Sequence, residues 1–222
     1  MIKMNVLLAK IILPAAIVAM FAIVTSAQTA QDIASSKIAA SSQNITTFQS
    51  DRSNNNKLLS QIVPNDLVSK DSFGYSVAVE ENYGLISAVH SDAKGTDSGA
   101  VYLFDFNSGQ QLKKFMANDG SAGDLFGYSV AIKGTYVLIS AAYSDAKGTD
   151  SGAVYLFDLN SGQQLKKFMA NDGSAGDLFG YSVAIEDNYG LIGSAYDDDR
   201  GRIDKGSAYL FNLSTGQQIQ QF

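Results

Sequence analysis

Between Leu58 and Phe222 the apolar positions fall into short runs bounded by Gly, Asn, Asp or Ser. One run opens on Phe-Gly-Tyr-Ser-Val-Ala, which occurs at Phe73, Phe126 and Phe179, 53 residues apart each time. A second run spans Tyr83 to Val89, Tyr136 to Tyr143 and Tyr189 to Tyr196. A third follows a glycine: Gly99 to Phe104, Gly152 to Phe157 and Gly206 to Phe211. The fourth is Gly109 to Phe115, with copies at Gly162 to Phe168 and Gly216 to Phe222. All are rich in β-branched and aromatic residues, and none has the length or the 3.6-residue period of a helix. Each 53-residue unit therefore predicts four strands.

The turns agree. The first is tight, at Glu81-Asn82, Gly134-Thr135 and Asp187-Asn188, and suits a hairpin whose central residues accept positive φ. The third is a short polar link, Asn107 to Gly109, Asn160 to Gly162 and Ser214 to Gly216. The second connection, Ser91 to Gly99, is longer, and Ala117 to Asp124 links one unit to the next. Four antiparallel strands at a period near 50 are the pattern of a β-propeller blade. The expected fold is all-β, with β-propeller-type blades of four antiparallel strands in three full repeats, at about 73–125, 126–178 and 179–222. Matching spacing before Phe73 predicts an orphan strand at 58–63, the diverged outer strand of a preceding unit, so the repeat region is 57–222. Closed propellers have about 4 to 8 blades, too many for this count. Three readings stay open: a piece of a longer propeller, two arcs completing one ring, or an arc stable by itself. Residues 91–132 and 144–185 differ only at Phe106 against Leu159, which marks a recent duplication and invites mispairing during folding.

The repeating Phe-Gly, followed by an apolar strand and Gly-Ala-Val-Tyr-Leu-Phe, resembles the FG-GAP repeat, the blade unit of integrin α-subunit propellers and of many bacterial exported proteins. The resemblance covers about Leu58 to Phe222. The Gly-Ala-Pro part is replaced by Ser87-Ala88-Val89, Ser140-Ala141-Ala142 and Gly193-Ser194-Ala195. Calcium-binding members carry an Asp-x-Asp-x-Asp-Gly cage between the first two strands. Here that place holds Glu80 to Gly84, Lys133 to Val137 and Glu186 to Gly190, too short and too poor in carboxylates for six to eight oxygen ligands. The resemblance is therefore to the bacterial exported type without that cage.

The rest of the chain changes the picture in three ways. Met1 to Lys10 carries Lys3 and Lys10, Ile11 to Val24 is mostly apolar, and Thr25-Ser26-Ala27 is small, which reads as a signal peptide over 1–27. Secretion, a periplasmic location or the cell surface follows as the expected localisation, with no stable membrane span after cleavage. Residues 28–56 read as a flexible polar linker, with a weak helix between Asp32 and Ala40. There are no cysteines, so packing alone must hold the fold. Losing Lys3 and Lys10 would take the formal charge from −6 to −8, which excludes nucleic acid as an expected partner. The pairs Lys113-Lys114 and Lys166-Lys167 read as guards on outer strands.

Candidate chemistry is sparse. His90 is the single histidine and is replaced by Tyr143 and Tyr196 in the other units, so it reads as structural. With no partner histidine, cysteine or nucleophile motif, neither a zinc site nor a triad is expected, and the chain is expected not to be an enzyme. Ser76, Ser129 and Ser182 read as strand or turn residues. Tyr75, Tyr128 and Tyr181 read as packing residues with a polar tip, a row of binding tyrosines being the sharper alternative. No cofactor is expected. The calcium candidates are the loop acids Asp197, Asp198, Asp199 and Asp204, then Asp92, Asp97, Asp145 and Asp150; ordinary loop-turn chemistry is the other reading of the same residues. The linker acids Asp119, Asp124, Asp172 and Asp177 form a further set. The expected role is non-enzymatic binding or adhesion to an extracellular protein or carbohydrate through blade loops. Its rivals are a module that completes a propeller with another chain, self-associating through open blade faces, and an enzymatic propeller.

Overall fold

The computed structural model describes residues 62–198 and 205–222. The expected signal peptide, the linker and most of the orphan strand lie outside them. Ile62 and Val63 are described and are not in a strand.

The described chain is three four-stranded antiparallel sheets and no helix. The first holds β1 (Phe73–Glu80), β2 (Tyr83–Ala88), β3 (Ala100–Asp105) and β4 (Gln110–Phe115). The second holds β5 (Phe126–Lys133), β6 (Tyr136–Ala141), β7 (Ala153–Asp158) and β8 (Gln164–Phe168). The third holds β9 (Phe179–Glu186), β10 (Tyr189–Ser194), β11 (Ser207–Asn212) and β12 (Gln218–Gln221). In each sheet the strands lie in sequence order, as in a propeller blade, and the three blades form an open arc. The expected hairpins form: Glu80 pairs with Tyr83 and Lys133 with Tyr136. Glu81, Gly134 and Asp187 take φ of 52°, 56° and 50° at their turns.

Two core clusters lie between blades, and a third packs Ala88, Ala100, Tyr102 and Phe104 of the first blade against Phe73 and the preceding Ile62 and Leu67. Leu85, Val101, Leu103 and Phe115 of the first blade pack against Val130, Ile132, Tyr155 and Phe157 of the second. Leu138, Val154, Leu156 and Phe168 of the second do the same against Phe179, Ile192, Tyr209 and Phe211 of the third. Alternation explains this. Successive side chains on a strand point to opposite faces, so each central strand feeds one junction with its odd positions and the next with its even ones. Tyr155 and Leu156, adjacent on β7, are both fully buried, in different junctions.

At each junction the backbones nearly touch. Phe126 N–H donates to Ser98 O at 3.0 Å, and Phe179 N–H donates to Ser151 O at 3.0 Å. Gly99 and Gly152, both at φ +83°, sit under these phenylalanines. A Cβ on either would collide with the main chain of Phe126 or Phe179.

Candidate functional site

The pairing of β1 with β2 slips between Phe73 and Val77, and that of β5 with β6 slips between Phe126 and Val130. Such a bulge re-aims side chains and leaves an amide without its ladder partner. Ser87 Oγ takes the freed Ser76 N–H at 2.9 Å, and Ser140 Oγ takes Ser129 N–H at 2.8 Å. The bulge serines also reach across the junctions. Ser76 Oγ accepts Val130 N–H at 3.2 Å, and Ser129 Oγ accepts Val183 N–H at 3.1 Å. These serines thus clasp adjacent blades, a role their recurrence beside Phe-Gly did not reveal.

The same bulges present the tyrosines. Tyr75, Tyr128 and Tyr181 form a ladder, one rung per blade, with ring centroids 5.4 Å and 5.3 Å apart. Tyr143 packs on Tyr128 at 5.7 Å and Tyr196 on Tyr181 at 5.9 Å. Tyr75, Tyr181 and Tyr196 are exposed, at 49%, 39% and 43%. Burial first, then hydrogen bonding with Tyr75 and Tyr181, pushes the Tyr128 hydroxyl well above the ordinary phenol range. The middle rung therefore stays a neutral donor and acceptor at every physiological pH.

Tyr143 leads directly into the loop that begins at Ser144, which sets the ladder beside the aspartate loops. There Asp92 Oδ1 accepts Asp97 N–H, and Asp145 Oδ1 accepts Asp150 N–H, both at 2.9 Å. Asp97 and Asp150 hold φ of 54°, which those contacts stabilise. Asp97 Oδ1 lies 3.0 Å from His90 Nδ1. Asp197 is buried and accepts the Ser207 hydroxyl. Asp198 is described, whereas Asp199 and Asp204 lie outside the described residues. Among the described residues no three His, Cys, Asp or Glu gather into a group that could hold a metal ion. The place of the family's calcium cage is a two-residue turn, and Glu80 Oε1 at the first blade's turn accepts Gly134 N–H of the second blade's turn at 3.2 Å. The residues there do not fit a cation requiring six or more oxygens.

The linker acids divide by environment. Asp124 Oδ2 accepts Ser121 N–H at 2.8 Å and Asp177 Oδ2 accepts Ser174 N–H at 2.6 Å, closing the turn before each Phe-Gly. Burial raises both carboxyls above their ordinary value. Asp66 and Asp119 instead meet Lys114 and Lys167 at 2.6 Å and 2.7 Å. The two ammonium groups also lie 5.3 Å from the ring centroids of Tyr102 and Tyr155. These lysines do more than guard an edge: each ties an outer strand to the linker preceding its own blade. In the third blade Gln221 stands in register with Tyr209, where Lys114 faces Tyr102.

Burial acts to raise the Asp119 carboxyl, but the hydrogen bond and charge of Lys167 outweigh it and hold the group below 3.8. A lowered folded value stabilises above the ordinary carboxylate range, and that stability is lost as pH falls through the folded value. The pair is half exposed and so screened. Lys167→Met, which keeps an apolar stem over Tyr155, should cost at most about 1 kcal/mol at pH 7. That is a drop in melting temperature of about 2–4 °C. Thermal melts from pH 7 to pH 2 should show the difference disappearing at the acid end; an undiminished difference at pH 2 would assign it to packing.

The FG-GAP repeat family model matches the chain three times, over residues 58–104, 110–157 and 163–211, more than half its length. The chain belongs to the FG-GAP repeat family. The second and third matches run from the outer strand of one blade through the first three strands of the next, so the family's unit spans a blade junction. The FG-GAP phenylalanine and glycine are the junction itself: Phe126 is 1% exposed, and a Cβ on Gly127 would press on Ser87 and Val101 of the blade before. No curated protein matches this FG-GAP chain significantly.

Proposed function

We propose that this FG-GAP repeat protein is an exported, non-enzymatic binding module whose ligand lies along the tyrosine ladder, and that the ligand is a neutral carbohydrate. The observation that carries this reading is the exposure of Tyr75, Tyr181 and Tyr196 around a protonated Tyr128, in one continuous strip. Tyrosine offers a large apolar face with a polar tip at low entropic cost, which suits a ligand with apolar C–H faces and a rim of hydroxyls. The loop aspartates beside the strip and the chain's excess of 22 acidic over 16 basic residues disfavour anionic glycans.

The test uses an intrinsic reporter. The chain has 11 tyrosines and no tryptophan, so its ultraviolet emission comes from tyrosine. Titration with neutral gluco-, manno- and chito-oligosaccharides should change that emission saturably. Tyr181→Ala should weaken the response by about tenfold or more, the effect of losing one aromatic anchor. Tyr189→Ala, exposed but away from the ladder, should leave it unchanged. No response to any sugar, or equal loss in both variants, would refute the reading.

A further inference from the structure

The chain has no cysteine and no tryptophan but 11 tyrosines. Tyrosine is therefore the side chain through which it can take up a one-electron oxidation, and no disulfide can tie one blade to the next. The tyrosines are not spread evenly. Tyr75, Tyr128 and Tyr181 touch in succession, with centroids 5.4 Å and 5.3 Å apart, and each contact crosses a blade junction. The contacts of Tyr128 with Tyr143 and of Tyr181 with Tyr196 are wider and stay within one blade. Tyr189 is as exposed as Tyr75, at 48% against 49%, but stands away from the ladder.

The geometry of the rungs suits ring-to-ring coupling. The Tyr128 hydroxyl shares hydrogen bonds with Tyr75 and Tyr181. In a phenoxyl radical the unpaired electron spreads to the carbons beside the oxygen, so hydrogen-bonded hydroxyls bring the reactive carbons together. The ring planes are tilted by 50° and 53°, and two joined rings must likewise twist to keep the hydroxyls beside their bond apart. Bond formation needs the centroids to close by about 1 Å, within the ordinary motion of a partly exposed side chain. The outer rungs are open to an oxidant, Tyr75 at 49% and Tyr181 at 39% exposure.

We infer that Tyr128 is a cross-linking site, at which a peroxidase-type oxidant joins its ring to that of Tyr75 or Tyr181 by a carbon–carbon bond and so staples two blades covalently. Each phenol gives up one electron to the oxidant and its hydroxyl proton to water, leaving a phenoxyl radical. The two radicals pair their electrons in one bond between the carbons beside the oxygens. Each of those carbons then passes its hydrogen to the oxygen through water, which restores two phenols. Hydrogen peroxide takes up the two electrons and two protons and leaves as two waters. Tyr75 and Tyr128, like Tyr128 and Tyr181, are 53 residues apart. A link there removes chain entropy from the unfolded state, as a disulfide does. Because the rungs are already in contact, coupling inside one molecule outpaces coupling between molecules in dilute solution. Oxidation and sugar titration read different events, so this proposal and the carbohydrate reading stand or fall separately.

The test treats dilute full-length protein with a haem peroxidase and hydrogen peroxide, isolates the monomer and maps its linked peptides by mass spectrometry. The monomer should carry Tyr75–Tyr128 or Tyr128–Tyr181 linked peptides, two hydrogen atoms lighter than the free pair. It should melt higher than untreated protein by about 5–15 °C. Tyr128→Phe keeps the ring and removes the hydroxyl, so it should fold as the wild type does yet lose both linked peptides and the gain in melting temperature. Tyr189→Phe should keep all of these. Links formed only between molecules would overturn the proposal. So would a monomer product that Tyr128→Phe leaves unchanged, or one that Tyr189→Phe diminishes as much.

Discussion

Phe126→Ala is expected to lower the melting temperature by about 10 °C. The side chain is 1% exposed and meets Tyr155 and Phe157 edge to face, with centroids 5.7 Å and 5.9 Å away. Truncating a buried phenylalanine costs about 3–5 kcal/mol, from lost transfer energy and the cavity left behind. Each kcal/mol moves the melting temperature of a domain this size by about 2–4 °C. Position as well as size matters here. Phe126 bridges two blades, and in a repeat array the interfaces carry much of the stability, so losing one uncouples the first blade from the other two. Phe73 is the same residue in the first described blade, packed 6.0 Å from Tyr102 and only half buried. Phe73→Ala should therefore cost less than half as much. Thermal melts followed by near-ultraviolet circular dichroism give the comparison, and equal losses would mean that the blades are stable singly.

Gly152→Ala is expected to be nearly as damaging, although it adds only one methyl group. Two penalties coincide. At φ +83° an L-residue costs about 1–2 kcal/mol. The new Cβ would also be driven into the main chain of Phe179, and relieving it must shift a junction already tied by Phe179 N–H to Ser151 O. Overpacking of this kind adds about 1–3 kcal/mol. The sum predicts a fall in melting temperature of about 5–15 °C. Gly109→Ala isolates the first penalty. Its φ is +70°, and nothing lies within 4 Å of a Cβ built there. It should lose no more than half as much. Equal losses in Gly109→Ala and Gly152→Ala would show that the junction can open to admit a methyl group.

Strands and period were legible because they rest on local rules. Alternation in Ala-Val-Tyr-Leu-Phe and turn residues such as Glu81-Asn82 specify hairpins without reference to anything distant. What stayed hidden depends on which atoms meet across 53 or 54 residues. Ser76 looked like any strand serine, because its role requires Val130 N–H, a group every sequence possesses. Lys114 and Lys167 looked isolated because their partners, Asp66 and Asp119, lie 48 residues earlier in the chain. The loop acids Asp92 and Asp145 matched both a cation ligand and a turn former. Only geometry could reveal that one oxygen of each is spent on the backbone of Asp97 or Asp150. The recurrence of Tyr75, Tyr128 and Tyr181 is visible in the sequence, but the Phe-Gly bulges that bring them into line are not.

The near-identity of residues 91–132 and 144–185 reaches beyond folding. The residues around the first junction, from Gly99 through Phe126, recur around the second, from Gly152 through Phe179. An excision or duplication of 53 residues anywhere within the matched stretches would join a blade to a neighbour shaped to receive it, leaving no seam. Replication slippage between near-identical coding stretches generates such changes. The length of this protein is thus a heritable variable that can move in whole blades, each new join repeating a junction already present. Selection can therefore adjust the number of tyrosine rungs before any individual contact has to evolve.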